Sequence, residues 1–199
     1  MKYKKIESIK KIKKYGLPFP ETIFIFDFKK QEEAIDRFLK NREYVAIRTD
    51  SAKNTDFLPY NLRCHKKKAK KTIKKFNDEG YAVILHEQNH IPSGVINKNH
   101  ISGNIVILEK CWIIELMRGE PLSSLTRKGE ISEYLKIRKN NLTEVAHWGK
   151  RIISRDILDK ILRMIRKIPK HKVIEFTFRP EGFYFWQIRE DKTAKKLDK

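Results

Sequence analysis

The stretch VIEFTFRPEGFYFWQIRE, residues 173 to 190, constrains the fold more than any other part of this chain. Its two runs, Val173 to Phe178 and Phe183 to Arg189, alternate in aromatic and β-branched residues. They flank Arg-Pro-Glu-Gly, the composition of a tight turn between antiparallel strands. With Pro180, Glu181 and Gly182 as the loop, the opposed pairs are Arg179 with Phe183, Thr177 with Phe185, and Glu175 with Gln187. Alternation then assigns Ile174, Phe176, Phe178, Tyr184, Trp186 and Ile188 to a buried face, and Glu175, Thr177, Gln187 and Arg189 to the other. Directly opposed Cβ atoms lie roughly 4.5–5.5 Å apart, so the Glu175 carboxylate and the Gln187 amide oxygen are close enough to ligate one hard cation such as Mg²⁺. A solvated outer face with a cross-strand hydrogen bond satisfies the same pattern.

The chain around this hairpin has 199 residues, enough for one domain or two small lobes with a real core, and a hydrophobic content of 40% argues for a folded protein. Forty-five Lys and Arg against 25 Asp and Glu give a net charge of +20. Such a field attracts polyanions, whether nucleic acid, an anionic surface or nucleotide phosphates, and it also suits a Lys-, Ile- and Glu-rich thermophile-like composition. Cys64 and Cys111 are far apart and form no CxxC pattern, which points to reduced thiols. The lysine-rich amino terminus is followed by no apolar signal region, and no apolar run approaches the roughly 20 residues that cross a bilayer. The expectation is a soluble, cytoplasmic protein with no membrane partner.

Periodicity yields a mixed set of elements. KKIESIKKIKKY (4–15) places Ile6, Ile9 and Ile12 on one side of a basic helix stopped by Gly16. A strand in ETIFIFDF, a helix in QEEAIDRFLK and a strand in EYVAIRTDSA follow. HKKKAKKTIKKF has only the narrow stripe Ala69, Ile73 and Phe76, so it reads as an exposed, very basic helix before the strand YAVILHEQ. SGVINK and GNIVILEKCWII read as a strand pair, and GEPLSSLTRKGEISEYLKIR as turns and short strands. SRDILDKILRMIRKI is a helix capped by Ser154, with Ile157, Ile161, Met164, Ile165 and Ile168 on its inner face and Pro169 as its stop. This order predicts an α+β protein of two lobes. Residues 1–80 form an N-terminal lobe, residues 81–190 a C-terminal lobe carrying the hairpin, and residues 191–199 a flexible tail.

Single-motif searches find no GxxxxGKS loop, no GxGxxG opening a helix and no HExxH, and the six histidines are scattered. More informative is the order of four features. Arg48 leaves the end of a strand in AIRTDSA, where a guanidinium can hold phosphate oxygens in bidentate fashion. Ser93 and Gly94 interrupt a strand pair, EKCWIIELMRGEP offers Glu115, and the hairpin supplies Glu175 and Gln187.

In that order, from about residue 5 to residue 190, the chain resembles a shortened ATP-grasp domain of the type that begins phosphoenolpyruvate synthase and pyruvate phosphate dikinase. YGLPFPETIFI resembles the family's GLPVPPGF segment and YVAIRTDSA its VAVRSSA. VILHEQNHIPSGVI looks like its paired strands ending in SGV, and IEFTFRPEGFYFWQIRE is similar to its closing IEW…LYILQARP. The resemblance implies that Arg48, with Lys5 at the place of the family's GGK lysine, contacts ATP phosphates as catalytic and cofactor-binding groups. It implies that Glu115 and Arg189 also belong to the nucleotide site, and that Glu175 and Gln187 hold Mg²⁺. The family's glycines around Lys5 are absent, His86 stands where the strand usually carries Gln, and CWIIE lacks the glycines of GLGE. The implied function is Mg-ATP binding with phosphotransferase or ligase-type chemistry on an unknown acceptor, with a separate phosphocarrier protein as a possible partner. The alternative is a degenerate ATP-grasp fold acting as a regulatory module or, through the basic helix, as a nucleic-acid-binding module.

Overall fold

The computed structural model describes residues 3–53, 57–87, 100–118, 131–180, 182–190 and 192–197. The expected strand SGVINK with Ser93 and Gly94, and the segment GEPLSSLTRKGE, lie outside the described residues. The chain divides into two compact units, Met1–Glu7 with Pro20–Val95, and Ser8–Phe19 with Ile96–Lys199. Both are helices on antiparallel sheet, an α+β architecture.

The first unit contains β1 (Thr22–Ile25), α2 (Glu32–Leu39), β2 (Tyr44–Asp50), β3 (Tyr60–His65), α3 (Lys66–Asp78) and β4 (Ala82–Glu87), together with the first turn of α1 (Lys4–Lys14). Among its described residues, four strands run in the order β1-β4-β2-β3. Val45 and Ile47 of β2 and Val83 and Leu85 of β4 share a core with Ile35, Phe38 and Leu39 of α2 and with Ala69, Ile73 and Phe76 of α3. The narrow apolar stripe of the basic helix is therefore buried, as its spacing predicts. The edge strand β3 lies in a stretch whose sequence carries no strand signal.

The second unit holds the rest of α1, β5 (Ile101–Ile107), β6 (Cys111–Arg118), β7 (Glu133–Arg138), β8 (Glu144–Gly149), α4 (Arg155–Ile165), β9 (Lys172–Arg179), β10 (Gly182–Glu190) and α5 (Lys192–Leu197). Among its described residues, six strands run in the order β10-β9-β5-β6-β7-β8. Ile105, Ile114, Leu116, Leu135, Ile137, Ile174, Phe176, Phe185 and Ile188 line one face of the sheet and share a core with Leu158, Ile161, Leu162 and Ile165 of α4 and Ile12 of α1. Ser154 caps α4 as expected, accepting from the Ile157 amide at 3.3 Å. The inner face of α4 is rotated from the sequence reading: Leu158 and Leu162 are buried, while Ile157 and Met164 are half-buried at its margin.

Other expectations need correction. GNIVILEKCWII is not one strand of a pair but holds parts of both β5 and β6, joined by a turn at Leu108–Lys110. EVAHWG, unassigned from sequence, is the edge strand β8. Where a frayed tail was expected, α5 seats Ala194 against Leu108 and Ile113. The closing hairpin turns more tightly than its sequence suggests. Gly182 pairs with Arg179, Phe183 with Phe178 and Phe185 with Phe176, so the loop has two residues rather than three. A bulge at Trp186 then restores the pairing of Gln187 with Glu175. Because of the shift, Phe183 and Phe185 join the core instead of Tyr184 and Trp186. The Trp186 indole N–H donates to Thr177 Oγ1 at 2.9 Å.

The strand β10 lies at the sheet edge, and two of its amides are covered: Phe185 N donates to Pro18 O at 2.9 Å and Ile188 N to Ser8 Oγ at 2.7 Å. Those partners keep the edge from pairing with another chain. In the middle of the sheet, a Cβ on Gly103 would lie 2.6 Å from Phe176 Cε1 and 2.7 Å from Leu116 Cδ2. The Gly103→Ala protein should therefore unfold at lower urea, losing roughly 1–3 kcal/mol through overpacking. An unchanged midpoint would show that Phe176 repacks without cost.

Candidate functional site

Register places a row of oxygen-bearing side chains on the face of the second unit's sheet opposite its core. Glu175 of β9 has two neighbours, Gln187 of β10 and Asn104 of β5, and Asn104 is in turn opposite Glu115 of β6. Tyr134 of β7 continues the row beside Glu115. Burial, and next the Glu115 charge, hold the Tyr134 hydroxyl above its ordinary pKa. Arg189, two residues beyond Gln187, brings its Nε to 3.7 Å from Glu175 Oε1. Four residues singled out from sequence, Glu115, Glu175, Gln187 and Arg189, thus share one face.

Asn104 escaped the sequence reading. It is 7% exposed, and its Oδ1 is buried with no hydrogen-bond partner among the described residues. A buried amide oxygen left unsatisfied costs about 1–3 kcal/mol. The signal was present in ISGNIVI, where an asparagine interrupts an otherwise apolar strand. Among the described residues no three His, Cys, Asp or Glu side chains converge. A cation on this face would therefore draw on amide oxygens as well as carboxylates.

In the first unit, β2 turns Ala46, Arg48 and Asp50 away from its helix-covered face. Asp50 is 2% exposed and accepts from the Ile6 amide in the first turn of α1 at 2.9 Å and from its neighbour Ser51 N at 3.0 Å. That carboxylate satisfies an amide at a helix N-terminus, where negative charge is favoured. Anchored this way, α1 directs Lys5 Nζ to the Thr49 carbonyl at 3.2 Å. Burial, and next the positive charge of Arg48, push the Lys5 ammonium down to about 8, with Asp50 opposing. The structure thus brings together Lys5 and Arg48, 43 positions apart in sequence, as two cations near enough to repel. Like charges held together in a partly buried place mark a candidate anion site.

His86 belongs to the same face, opposite Ala46 of β2 and Thr22 of β1. It is 4% exposed, and burial followed by the Arg48 charge lowers its pKa to about 3, so its ring is neutral at physiological pH. The lysines of α3 are in part engaged locally: Lys70 with Glu32 and Asp36, Lys74 with Asp78, and Lys75 with Glu79.

This fold is ATP-grasp-like. The chain resembles the solved D-alanine–D-alanine ligase from Helicobacter pylori with a TM-score of 0.59 and 11% identity, covering 98% of this chain and 56% of that one. A RimK domain protein, an ATP-grasp from Sphaerobacter thermophilus, gives 0.54 at 12% identity, covering 98% and 61%. A macrocyclase from Microcystis aeruginosa, solved with its precursor peptide, gives 0.52 at 13% identity, covering 92% and 51%. The chain therefore spans between 51% and 61% of the length of these structures. It matches no known family profile and no curated relative. Among the described residues no helix is long and apolar enough to cross a membrane.

The depressed His86 pKa makes stability depend on pH with a definite sign. Below the unfolded value of about 6.5 the unfolded chain takes up a proton that the folded chain refuses, so stability falls as pH drops from about 6.5 towards 3. Urea unfolding of His86→Gln at pH 7.5 and pH 5 should show less acid destabilisation than the parent, by up to about 2 kcal/mol between the two pH values. An identical loss in both proteins would mean that His86 is protonated in the fold.

Proposed function

We propose that this protein binds Mg-ATP and uses it in ligase-type or phosphotransfer chemistry on an acceptor. The observation that carries this reading is the row Gln187, Glu175, Asn104 and Glu115 along four adjacent strands. Its donors are all oxygen, with two carboxylates and two amides, and Asn104 Oδ1 has no hydrogen-bond partner among the described residues. That chemistry fits Mg²⁺, which takes one or two carboxylates from the protein and completes its shell with water and phosphate. When bound, the ion neutralises charge on the phosphates. Glu175 and Gln187 hold it, Asn104 lies beside Glu175, and Glu115 and Arg189 contact the nucleotide.

Arg48 and Lys5 contribute positive charge to phosphate oxygens. Phosphoryl transfer depends mainly on such charge and on positioning, and the protein has little covalent work to do. The ligase names of the solved relatives favour ligation, whereas the hairpin's likeness to phosphoenolpyruvate synthase favours phosphoryl transfer. Both reactions begin with the same bound nucleotide. The nucleic-acid reading of α3 draws no support from these relatives, and part of its charge is paired on the spot.

Calorimetric titration of ATP should give saturable binding that requires Mg²⁺ and weakens at least tenfold in Glu175→Ala and in Arg48→Ala. No heat from any nucleotide in a folded sample would sink the proposal. Phosphates beside Lys5 raise its pKa back towards 10.5, so binding near pH 8.5 takes up a proton and affinity declines as pH rises through 8. Titrations in buffers of differing ionisation enthalpy should detect this uptake in the parent but not in Lys5→Met. Equal uptake in both would place the proton elsewhere.

A further inference from the structure

Away from the residues given roles above, the second unit builds a basic concavity from two turns and one helix end. The β5–β6 turn supplies Lys110, the end of β7 supplies Arg138, the β7–β8 turn supplies Lys139 and Asn140, and Arg166 stands at the C-terminal end of α4. The cavity has a volume of about 740 Å³, within the range of roughly 300–1,000 Å³ typical of small-molecule sites. Its frame is fixed by backbone hydrogen bonds: Lys139 N donates to Lys110 O at 2.9 Å, Leu108 N to Cys111 O at 3.0 Å, and Arg138 N to Thr143 O at 2.8 Å. Lys139 Nζ donates to the Leu108 carbonyl and lies 5.5 Å from the centre of the Trp112 ring, which forms an apolar wall.

Charge here is unbalanced in a way that net composition does not show. Four cations line the cavity with one carboxylate, Glu109, and that carboxylate is in an ion pair with Lys170. Among the described residues Lys110, Arg138 and Arg166 take part in no ion pair. Two of these three are arginines, whose planar forks match phosphate oxygens in bidentate fashion. We propose that this concavity is a second anion site, separate from Arg48 and Lys5, and that its ligand is a compact polyphosphate. A ligand with several phosphoryl charges in a short length can meet Lys110, Arg138 and Arg166 together; a single carboxylate cannot.

The test uses the full chain and sodium tripolyphosphate as probe, in calorimetry at fixed ionic strength. The Arg48→Ala background weakens the first unit's candidate anion site by removing one of its two cations. In that background one saturable equivalent of tripolyphosphate should still bind. Adding Arg138→Ala and Arg166→Ala together should weaken it at least tenfold, while the charge-matched pair Lys67→Ala and Lys71→Ala on α3 should change it less than twofold. Arg138 and Arg166 are both exposed, so their variants should retain the parent's urea midpoint. The paired Arg138→Lys and Arg166→Lys variant, which keeps the charge but loses the forks, should fall between parent and alanine protein. Equal weakening by the α3 pair would reduce the effect to diffuse attraction by a chain of +20 and overturn the proposal. So would the absence of saturable binding in the Arg48→Ala protein. Failure of Mg-ATP to bind the parent, with tripolyphosphate still held, would reject the nucleotide reading and leave this site standing.

Discussion

Glu175 lies beside Asn104 and Gln187 because Ile174 and Phe176 can be buried on only one face of β9. The side-chain period of a strand is two, so a slip of one residue between β9 and β5 would send Glu175 and Thr177 into the core and expel Ile174 and Phe176. Ile105, Ile114, Ile174, Phe176 and Leu116 are all 0% exposed. At roughly 1.5–3 kcal/mol for each buried side chain, these five contribute on the order of 10 kcal/mol. That is comparable with the whole net stability of a domain, about 5–15 kcal/mol. The order of donors on the opposite face is therefore fixed by the apolar face, and no interaction among the donors themselves is needed to set it.

At the end of the row the same constraint requires an irregularity. With a two-residue turn and uninterrupted pairing, Glu175 would oppose Trp186, and Gln187 would point with Phe183 and Phe185 into the core. The extra residue at Trp186 moves Gln187 back to the polar face and lets Ile188 rejoin the apolar one. The bulge is held by side chains around it: Trp186 donates to Thr177, stacks on Tyr184 with centroids 6.2 Å apart, and meets Phe19 edge-on at 6.0 Å. Bulges often re-aim side chains near functional sites. This one restores the single pairing that the cation-binding reading requires.

The pairing of Glu175 with Gln187 was legible in the sequence, but through two errors that cancel. A three-residue loop without a bulge and a two-residue loop with one both bring those residues opposite each other, while they send Tyr184 and Trp186 to different faces. Helices whose apolar stripe is short and unambiguous, α1 with Ile6, Ile9 and Ile12 and α3 with Ala69, Ile73 and Phe76, were read correctly because only one face could be buried. In α4 the apolar residues wrap further around the helix, so the sequence did not decide between Ile157 with Met164 and Leu158 with Leu162. The edge strands β3 and β8 gave little signal because β8 is exposed over most of its length and β3 over half of its residues. Asn104 was missed because a single amide in an apolar strand reads as an exception until its neighbours across the sheet are known.

Proximity of Lys5 to Arg48 is the part of the candidate site least accessible to sequence, since it depends on Asp50 capping the first turn of α1. It also shows why the net charge of +20 is a poor guide to where an anion goes. On α3, Lys70 bridges Glu32 and Asp36 from a neighbouring helix, and an arriving anion would have to compete with both carboxylates. Beside Lys5 the nearest carboxylate is committed to backbone amides, and the nearest cation repels. An anion there relieves a cost that the fold already bears, whereas at Lys70 it would displace an interaction already made. As a proposed site, the half-buried pair of cations is for that reason favoured over the bridged Lys70, although α3 carries far more of the protein's charge.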